Sequence, residues 1–274
     1  MNEENQRNGE NPEYTKNPEN TEHQEYPKYQ EYPEYQEYPE YQAIAPLERR
    51  LNWVDFLFML VGLIAVYALL MAATILMLQL WPQEQAVIYI NAFATQLAFG
   101  LLLWFIKSVR GWEWIDFGWR STEGEKYFSQ VVKIYFLAMF INIIYAMVIF
   151  YHGMIPPETD VYAQLLGQSV WYMVAINLLL AGIMAPVIEE LIFRGIIFTS
   201  LRAHLGKWTS AAVSSLIFSA IHFQAYGFFP RFMLGMFLVY LFDKYKSLYP
   251  AIALHALNNI VAILLSAGIH LLDE

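Results

Sequence analysis

Long apolar runs without charge alternate along the chain with short segments that carry charge. Six ranges contain no Asp, Glu, Lys or Arg: 56–83, 85–106, 134–157, 161–188, 208–230 and 247–272. A helix needs about 20 mostly apolar residues to cross the hydrocarbon core of a bilayer, so each run is long enough to span a membrane. The runs predict helices at roughly 52–80, 86–106, 129–151, 171–202, 208–225 and 249–270.

A seventh helix is predicted at about 230–245 from a shorter apolar stretch at 232–242. For this helix to cross, Arg231 must extend to the interface, and Asp243 and Lys244 must lie there. A re-entrant or interfacial helix is the alternative. The pattern therefore predicts an all-α, polytopic transmembrane helix bundle of about seven spans.

Basic residues concentrate in alternate connections between the predicted spans. They precede the first span and follow the second, fourth and sixth, with only Arg231 elsewhere: Arg49, Arg50, Lys107, Arg110, Arg120, Lys126, Arg202, Lys207, Lys244 and Lys246. Because short cytoplasmic loops carry an excess of Lys and Arg, this distribution predicts a cytoplasmic N-terminus and a C-terminus outside. It also favours counting the short sixth segment as a span.

Residues 1–46 differ from the rest in composition. A six-residue Tyr/Pro/Glu/Gln repeat occupies 25–42, and eleven acidic against three basic side chains account for nearly all of the net charge of −9. Regular proline and a high acidic content predict a disordered tail, with a tyrosine-rich docking or interfacial segment as the alternative. We expect accessory membrane helices and a cytoplasmic loop at 47–128. The first apolar run begins too far from Met1 for a cleavable signal peptide and would itself be the anchor.

Overall composition excludes several classes of protein. The chain is 57% hydrophobic and 15% charged, where soluble domains carry about 25% charged residues, so an integral membrane protein is expected. No broad basic face is present, so nucleic acid is not an expected partner. The absence of cysteine excludes disulfides, thiolate metal sites and cysteine nucleophiles. The composition favours the bacterial plasma membrane as the location.

Three predicted helices carry polar side chains that are unfavourable in lipid. An ionisable group at the centre of a bilayer costs about 2.5–3.5 kcal/mol on insertion scales, so such groups are functional hypotheses. They fall on the fourth, fifth and seventh helices: Glu189, Glu190 and Arg194; His222, four residues after the apolar Phe218; and His255 with Asn259.

Helical spacing divides the two glutamates. Glu190 and Arg194 are four residues apart and can form an ion pair within their helix. Glu189 is turned about 100° from Glu190, which leaves it to face His222 and His255. A carboxylate and two histidines can polarise a water molecule, directly or through Zn²⁺, and amide or imidazole N–H groups can stabilise an oxyanion. The set suffices for hydrolysis of a peptide bond by water.

Each feature also has a non-catalytic interpretation. An intramembrane histidine can serve helix packing, and a Glu–Arg pair can be a structural staple or the charge pair of a transporter, although we find no internal repeat among the spans. We interpret Asn142, Asn177 and Asn258 as packing groups and expect Gly195 and Gly235 to permit close helix approach. If the features on all three helices were non-catalytic, three independent explanations would have to coincide in one chain. Their joint occurrence therefore favours catalysis.

The three motifs together resemble the CPBP (CAAX protease and bacteriocin-processing) intramembrane endopeptidase family, also called Abi, which contains the type II CAAX prenyl endopeptidases. Glu189-Glu190-x-x-x-Arg194, Phe218-x-x-x-His222 and His255-x-x-x-Asn259 follow in this order on successive apolar segments. The resemblance covers roughly 129–270, so 129–274 is expected to be the protease core. It does not extend to the first two spans or to the tail.

The resemblance implies a role for each residue. Glu189 and His222 would activate the attacking water, His255 and Asn259 would stabilise the oxyanion, and Glu190, Arg194 and Phe218 would support the site or orient the substrate. The family is named as metalloproteases, with Glu189, His222 and His255 as the natural ligands of a zinc ion, and has also been described as metal-free glutamate proteases. The implied substrate is a membrane-associated or lipidated peptide or protein. A non-catalytic bacteriocin-immunity or membrane scaffold protein is the alternative.

Overall fold

The computed structural model describes residues 51–81, 84–122, 124–153 and 171–273. The predicted tail at 1–46 lies outside them. The described residues contain no strand and form seven helices and one short 3₁₀ turn at Trp114–Phe117. The helices are α1 (Trp53–Leu80), α2 (Glu84–Arg110), α3 (Gly124–Tyr151), α4 (Trp171–Arg202), α5 (Lys207–Ala220), α6 (Phe228–Tyr245) and α7 (Tyr249–Asp273).

Within this part of the chain, five helices are long and apolar enough to cross a membrane: Trp53–Leu80, Ala86–Arg110, Tyr127–Tyr151, Trp171–Arg202 and Tyr249–Gly268. The remaining two, α5 with 14 residues and α6 with 18, are shorter. The prediction of an all-helical, polytopic bundle with about seven helical segments is confirmed. The crossing of α5 and α6, the orientation of the chain and its division into an accessory part and a core stay predictions.

The end of α5 differs from the prediction. The sequence predicted a helix to about 225, whereas α5 ends at Ala220 and His222 lies in the following turn. Phe223 and Gly227 adopt left-handed backbone angles, with φ of 52° and 77°, and these reverse the chain into α6. The Ser219 hydroxyl donates to the carbonyl of Phe228 at 2.6 Å and so closes the turn.

Helix α4 runs without a break but contains two π-helical segments. Leu178–Met184 and Leu191–Phe198 are π-helical, and the α-helical segment Ala185–Glu190 between them carries both glutamates. In the second π segment, side-chain hydroxyls reach backbone carbonyls: Ser214 donates to Phe193 O at 3.1 Å and Thr199 donates to Arg194 O at 2.9 Å. Wide turns of this kind occur often at functional sites.

Two glycines allow backbones to approach closely around α4, as expected from the sequence. A Cβ on Gly195 would lie 2.9 Å from the carbonyl oxygen of Phe117 in the 3₁₀ turn. A Cβ on Gly235 in α6 would lie 2.8 Å from Cβ of Ser215 in α5, whose packing face is made of small buried serines. Neither position has room for a side chain, so these contacts fix how closely α4 packs on the 3₁₀ turn and α6 packs on α5.

Candidate active site

The centre of the candidate site is a buried ion pair within α4. Arg194 Nη1 lies 2.7 Å from Glu190 Oε1, and neither side chain is accessible to solvent. Arg194 also donates through Nη2 to the carbonyl of Gly235 at 3.2 Å, and its guanidinium lies 4.7 Å from the ring centroid of Phe218. Arg194 therefore joins α4 to α5 and α6.

His255 from α7 contacts the same carboxylate. Its Nδ1 lies 2.8 Å from Glu190 Oε1, and only 3% of the residue is exposed. A carboxylate in an ion pair can only accept, so Nδ1 carries the proton and the other ring nitrogen, Nε2, is left for another partner. Spacing alone had assigned Glu190 to Arg194 and His255 to Glu189, so the bond between Glu190 and His255 was missed. The rotation of α7 relative to α4 decides which of the two glutamates bonds His255, and no local sequence pattern encodes that rotation.

Glu189 approaches the other side of the same imidazole. Its Oε2 lies 3.7 Å from Nε2 of His255, which is longer than a hydrogen bond. The Glu189 side chain keeps 16% of its surface accessible, whereas Glu190 is fully buried. The two adjacent carboxylates therefore differ in access to water, and His255 lies between them.

Phe218 holds the two histidines apart. Its ring meets the imidazole of His222 edge-on at 5.3 Å and that of His255 edge-on at 5.6 Å. Nδ1 of His222 lies 2.8 Å from the carbonyl oxygen of Phe218, which can only accept, so this nitrogen carries a proton. His222 also interacts electrostatically with Glu189 and His255. The residues predicted from three helices are thus brought together, with His222 on a turn rather than on a helix.

Asn259 lies one helical turn after His255 and also faces α4. Its side-chain Nδ2 donates to the carbonyl of Ala181 at 2.9 Å, and its Oδ1 accepts from Nδ2 of Asn258 at 3.3 Å. One of its two amide hydrogens is therefore already used by the protein. The contact with Ala181 was not predicted from the sequence. The sequence does contain a signal for it, because Pro186, five residues after Ala181, has no N–H to donate to the Ala181 carbonyl.

A metal site does not form from these side chains as they stand. Across the described residues, no three His, Cys, Asp or Glu side chains come close enough together to hold a metal ion. In the set implied for zinc, Nε2 of His255 and Glu189 approach each other, but His222 does not complete a cluster with them. The arrangement of the described residues does not fit a three-ligand metal centre.

A polar cleft of about 240 Å³ opens between α3, α6 and α7. Its walls include the side chains of Asn142, Tyr145, Arg231 and Asn258. The Tyr145 hydroxyl accepts from the backbone N–H of Gly227 at 3.3 Å, which leaves its own hydrogen available to a ligand. Asn258 lines the cleft and is also bonded to Asn259, so the cleft and the candidate site meet at these neighbours.

Residues 170–261 match the sequence profile of the type II CAAX prenyl endopeptidase Rce1-like family. The matched region runs from the start of α4 into α7 and contains all seven site residues predicted from the sequence. This match confirms the resemblance to the CAAX protease family. No curated protein and no solved structure matches the chain.

Proposed function

We propose that this protein, which matches the type II CAAX prenyl endopeptidase family over residues 170–261, is an intramembrane endopeptidase that cleaves a membrane-associated or lipidated protein or peptide. The apolar helices support a location in a lipid bilayer, and we place it in the bacterial plasma membrane. The observation that carries the proposal is the position of His255 between a fully buried carboxylate and an accessible one. A packing histidine needs no second carboxylate.

The proposed reaction begins with Glu189, which has the water access that a general base needs. Glu189, assisted by His222, takes a proton from water while the water oxygen forms a bond to the carbonyl carbon of the substrate. The resulting oxyanion accepts a hydrogen bond from Nε2–H of His255 in its protonated form, and the bond from Nδ1–H to Glu190 holds that ring in place. The C–N bond then breaks, and the proton held by Glu189 passes to the leaving amine.

We propose the cleft between α3, α6 and α7 as the place where the substrate chain lies. Amide and hydroxyl groups on its walls can pair with the polar main chain of an extended peptide, which finds no partner in lipid. Asn142 makes no hydrogen bond within the described residues and is accessible, so its amide can serve a ligand. Contact between Asn258 and Asn259 brings such a peptide next to the proposed catalytic groups.

The test is a panel of Glu189→Ala, His222→Ala and His255→Ala, purified in detergent and reconstituted in liposomes. Each is incubated with prenylated and unprenylated peptide libraries, and mass spectrometry records the cleavage products. We expect hydrolysis to fall by about 10²-fold or more in each variant that keeps a wild-type gel-filtration profile. His204→Ala is the matched control, because His204 stacks on Trp53, away from the site, and should cleave normally. Full hydrolysis by all three folded variants would exclude the proposal.

One observation favours a second candidate function, a non-catalytic immunity or scaffold protein. The Glu190–Arg194 pair is fully buried and bonded to α6, as expected for a structural staple. On that reading the polar cluster only holds the bundle together. In that case the wild type and the three variants would all keep the activity of an immunity or scaffold protein, and none of them would cleave a peptide.

A further inference from the structure

The backbone of α4 loses one hydrogen bond directly before the glutamates. The segment Leu178–Met184 is π-helical, which means hydrogen bonds from an N–H to the carbonyl five residues earlier, and the bond at its end runs from Ala185 N–H to Leu180 O. The next bond in this pattern would come from residue 186 and reach Ala181 O. That residue is proline, which has no N–H, so α4 cannot supply a donor in the π pattern for the carbonyl of Ala181.

Asn259 supplies the missing donor from α7. Its Nδ2 lies 2.9 Å from Ala181 O, and the bond from Asn258 to its Oδ1 fixes which way the amide points. The two helices approach closely at this level, because a Cβ on Gly182 would lie 3.1 Å from Cγ1 of Ile260. An unpaired carbonyl in an apolar interior destabilises the fold, and the amide of Asn259 removes that cost.

We propose that Asn259 is a positioning residue that sets the rotation of the glutamate-bearing segment of α4. Two hydrogen bonds of α7 side chains, at 2.9 Å and 2.8 Å, reach α4 in this region: Asn259 to Ala181 before the glutamates, and His255 to Glu190 at them. Each residue along an α-helix turns by about 100°, so a one-residue slip at Ala181 would turn Glu189 and Glu190 away from His255. The bond at Ala181 prevents that slip. This differs from the oxyanion role that the family resemblance implies for Asn259.

Pro186→Ala separates the two roles, because it restores an N–H that can donate to Ala181 O without Asn259. The wild type, Asn259→Ala, Pro186→Ala and the double variant are compared for melting temperature in detergent and for hydrolysis of the peptide libraries. We expect Asn259→Ala to lower the melting temperature by a few degrees and hydrolysis by about tenfold or more. The double variant should recover most of both losses. Ser214→Ala, alone and combined with Pro186→Ala, is the control. It also removes a side-chain donor to a carbonyl of α4, that of Phe193, so it should lower the melting temperature, and Pro186→Ala should not restore it.

Two results would overturn the proposal. The first is an Asn259→Ala variant with the melting temperature of the wild type. The second is a double variant that regains stability and still hydrolyses no faster than Asn259→Ala, which would assign the effect of Asn259 on hydrolysis to the oxyanion and not to positioning. The activity readout rests on the proposed function, but the melting temperatures do not. If the wild type hydrolyses nothing, the four melting temperatures still decide whether Asn259 replaces the donor that Pro186 lacks.

Discussion

Two carboxylate–arginine pairs in the described part of the protein have the same 2.7 Å separation and different surroundings. In the first, Asp55 at the start of α1 pairs with Arg110 at the end of α2, whose side chain is 33% exposed and lies over the ring of Trp112. In the second, Glu190 and Arg194 lie within α4, are both fully buried, and share Glu190 Oε1 with His255.

The difference shows what turns an ion pair into a candidate active site. Asp55 also accepts from the backbone N–H of Asn52 at 2.8 Å. Its two polar contacts therefore hold the start of α1 and the end of α2 together, at a place where Arg110 is still partly exposed to solvent. Glu190 instead uses one oxygen to hold both a guanidinium and an imidazole. The pair at Asp55 joins two helices, whereas the pair at Glu190 also directs the free nitrogen of His255 toward Glu189.

Glu190→Gln should produce the largest effect, because it leaves the buried charge of Arg194 without its partner. Breaking a buried pair in this way destabilises a protein by about 3–5 kcal/mol, so we expect little folded protein by fluorescence-detected gel filtration. Glu190→Gln combined with Arg194→Met removes both charges and should recover folding but not hydrolysis. A Glu190→Gln variant that folds normally and does not hydrolyse would mean that the two glutamates have the opposite roles.

His255→Ala should separate stability from hydrolysis. Glu190 keeps its ion pair with Arg194 in this variant, so the melting temperature should fall by much less than in Glu190→Gln. Loss of a positioned acid–base group should lower the rate of hydrolysis by about 10²–10⁴-fold in single-turnover assays. A fall in hydrolysis that merely follows the loss of folded protein would make His255 a structural residue, like the groups around Asp55.

Asp55→Asn tests the other side of the comparison. Because Arg110 retains partial access to solvent, loss of the pair should destabilise the protein by only about 1–2 kcal/mol, measured as the midpoint of thermal unfolding. Hydrolysis per folded molecule should equal that of the wild type. A loss of hydrolysis without loss of folded protein would show that the Asp55–Arg110 pair also acts on the site and is not purely structural.

Asn142→Leu should give the smallest effect, confined to the binding of substrate in the cleft. Loss of one hydrogen bond to a peptide corresponds to a rise in KM of about 2–10-fold, with kcat and melting temperature unchanged. The conservative Asn142→Gln should lie between the wild type and Asn142→Leu. An unchanged KM in both variants would indicate that the substrate does not use this cleft.

The sequence was sufficient for features that are local to one helix. Charge-free runs located the seven helices, and the four-residue spacing predicted the pair of Glu190 with Arg194, because helix geometry alone brings such residues together. The end of α5 was placed too far along the chain, because the left-handed turn at Phe223 depends on contacts with α6.

Features that depend on helix rotation could not be predicted. The contact of His255 with Glu190 follows from how α7 faces α4, and the contact of Asn259 with Ala181 needs both that rotation and the π pattern. Pro186 does mark, in the sequence, a place where a carbonyl loses its donor. Pro186 does not indicate which of the intramembrane amides supplies the missing donor.

The wide turn at Leu178–Met184 has a consequence for changes in chain length. A π turn holds one residue more than an α turn, so removal of a single residue there would leave a continuous α-helix in which only Pro186 donates no backbone hydrogen bond. The helix would still be long and apolar enough to cross a membrane, but the segment after it would point about 100° away from its present direction. The extra residue therefore changes the rotation of the helix about its axis. It allows the part that faces lipid and the part that carries the carboxylates to face directions that are set independently.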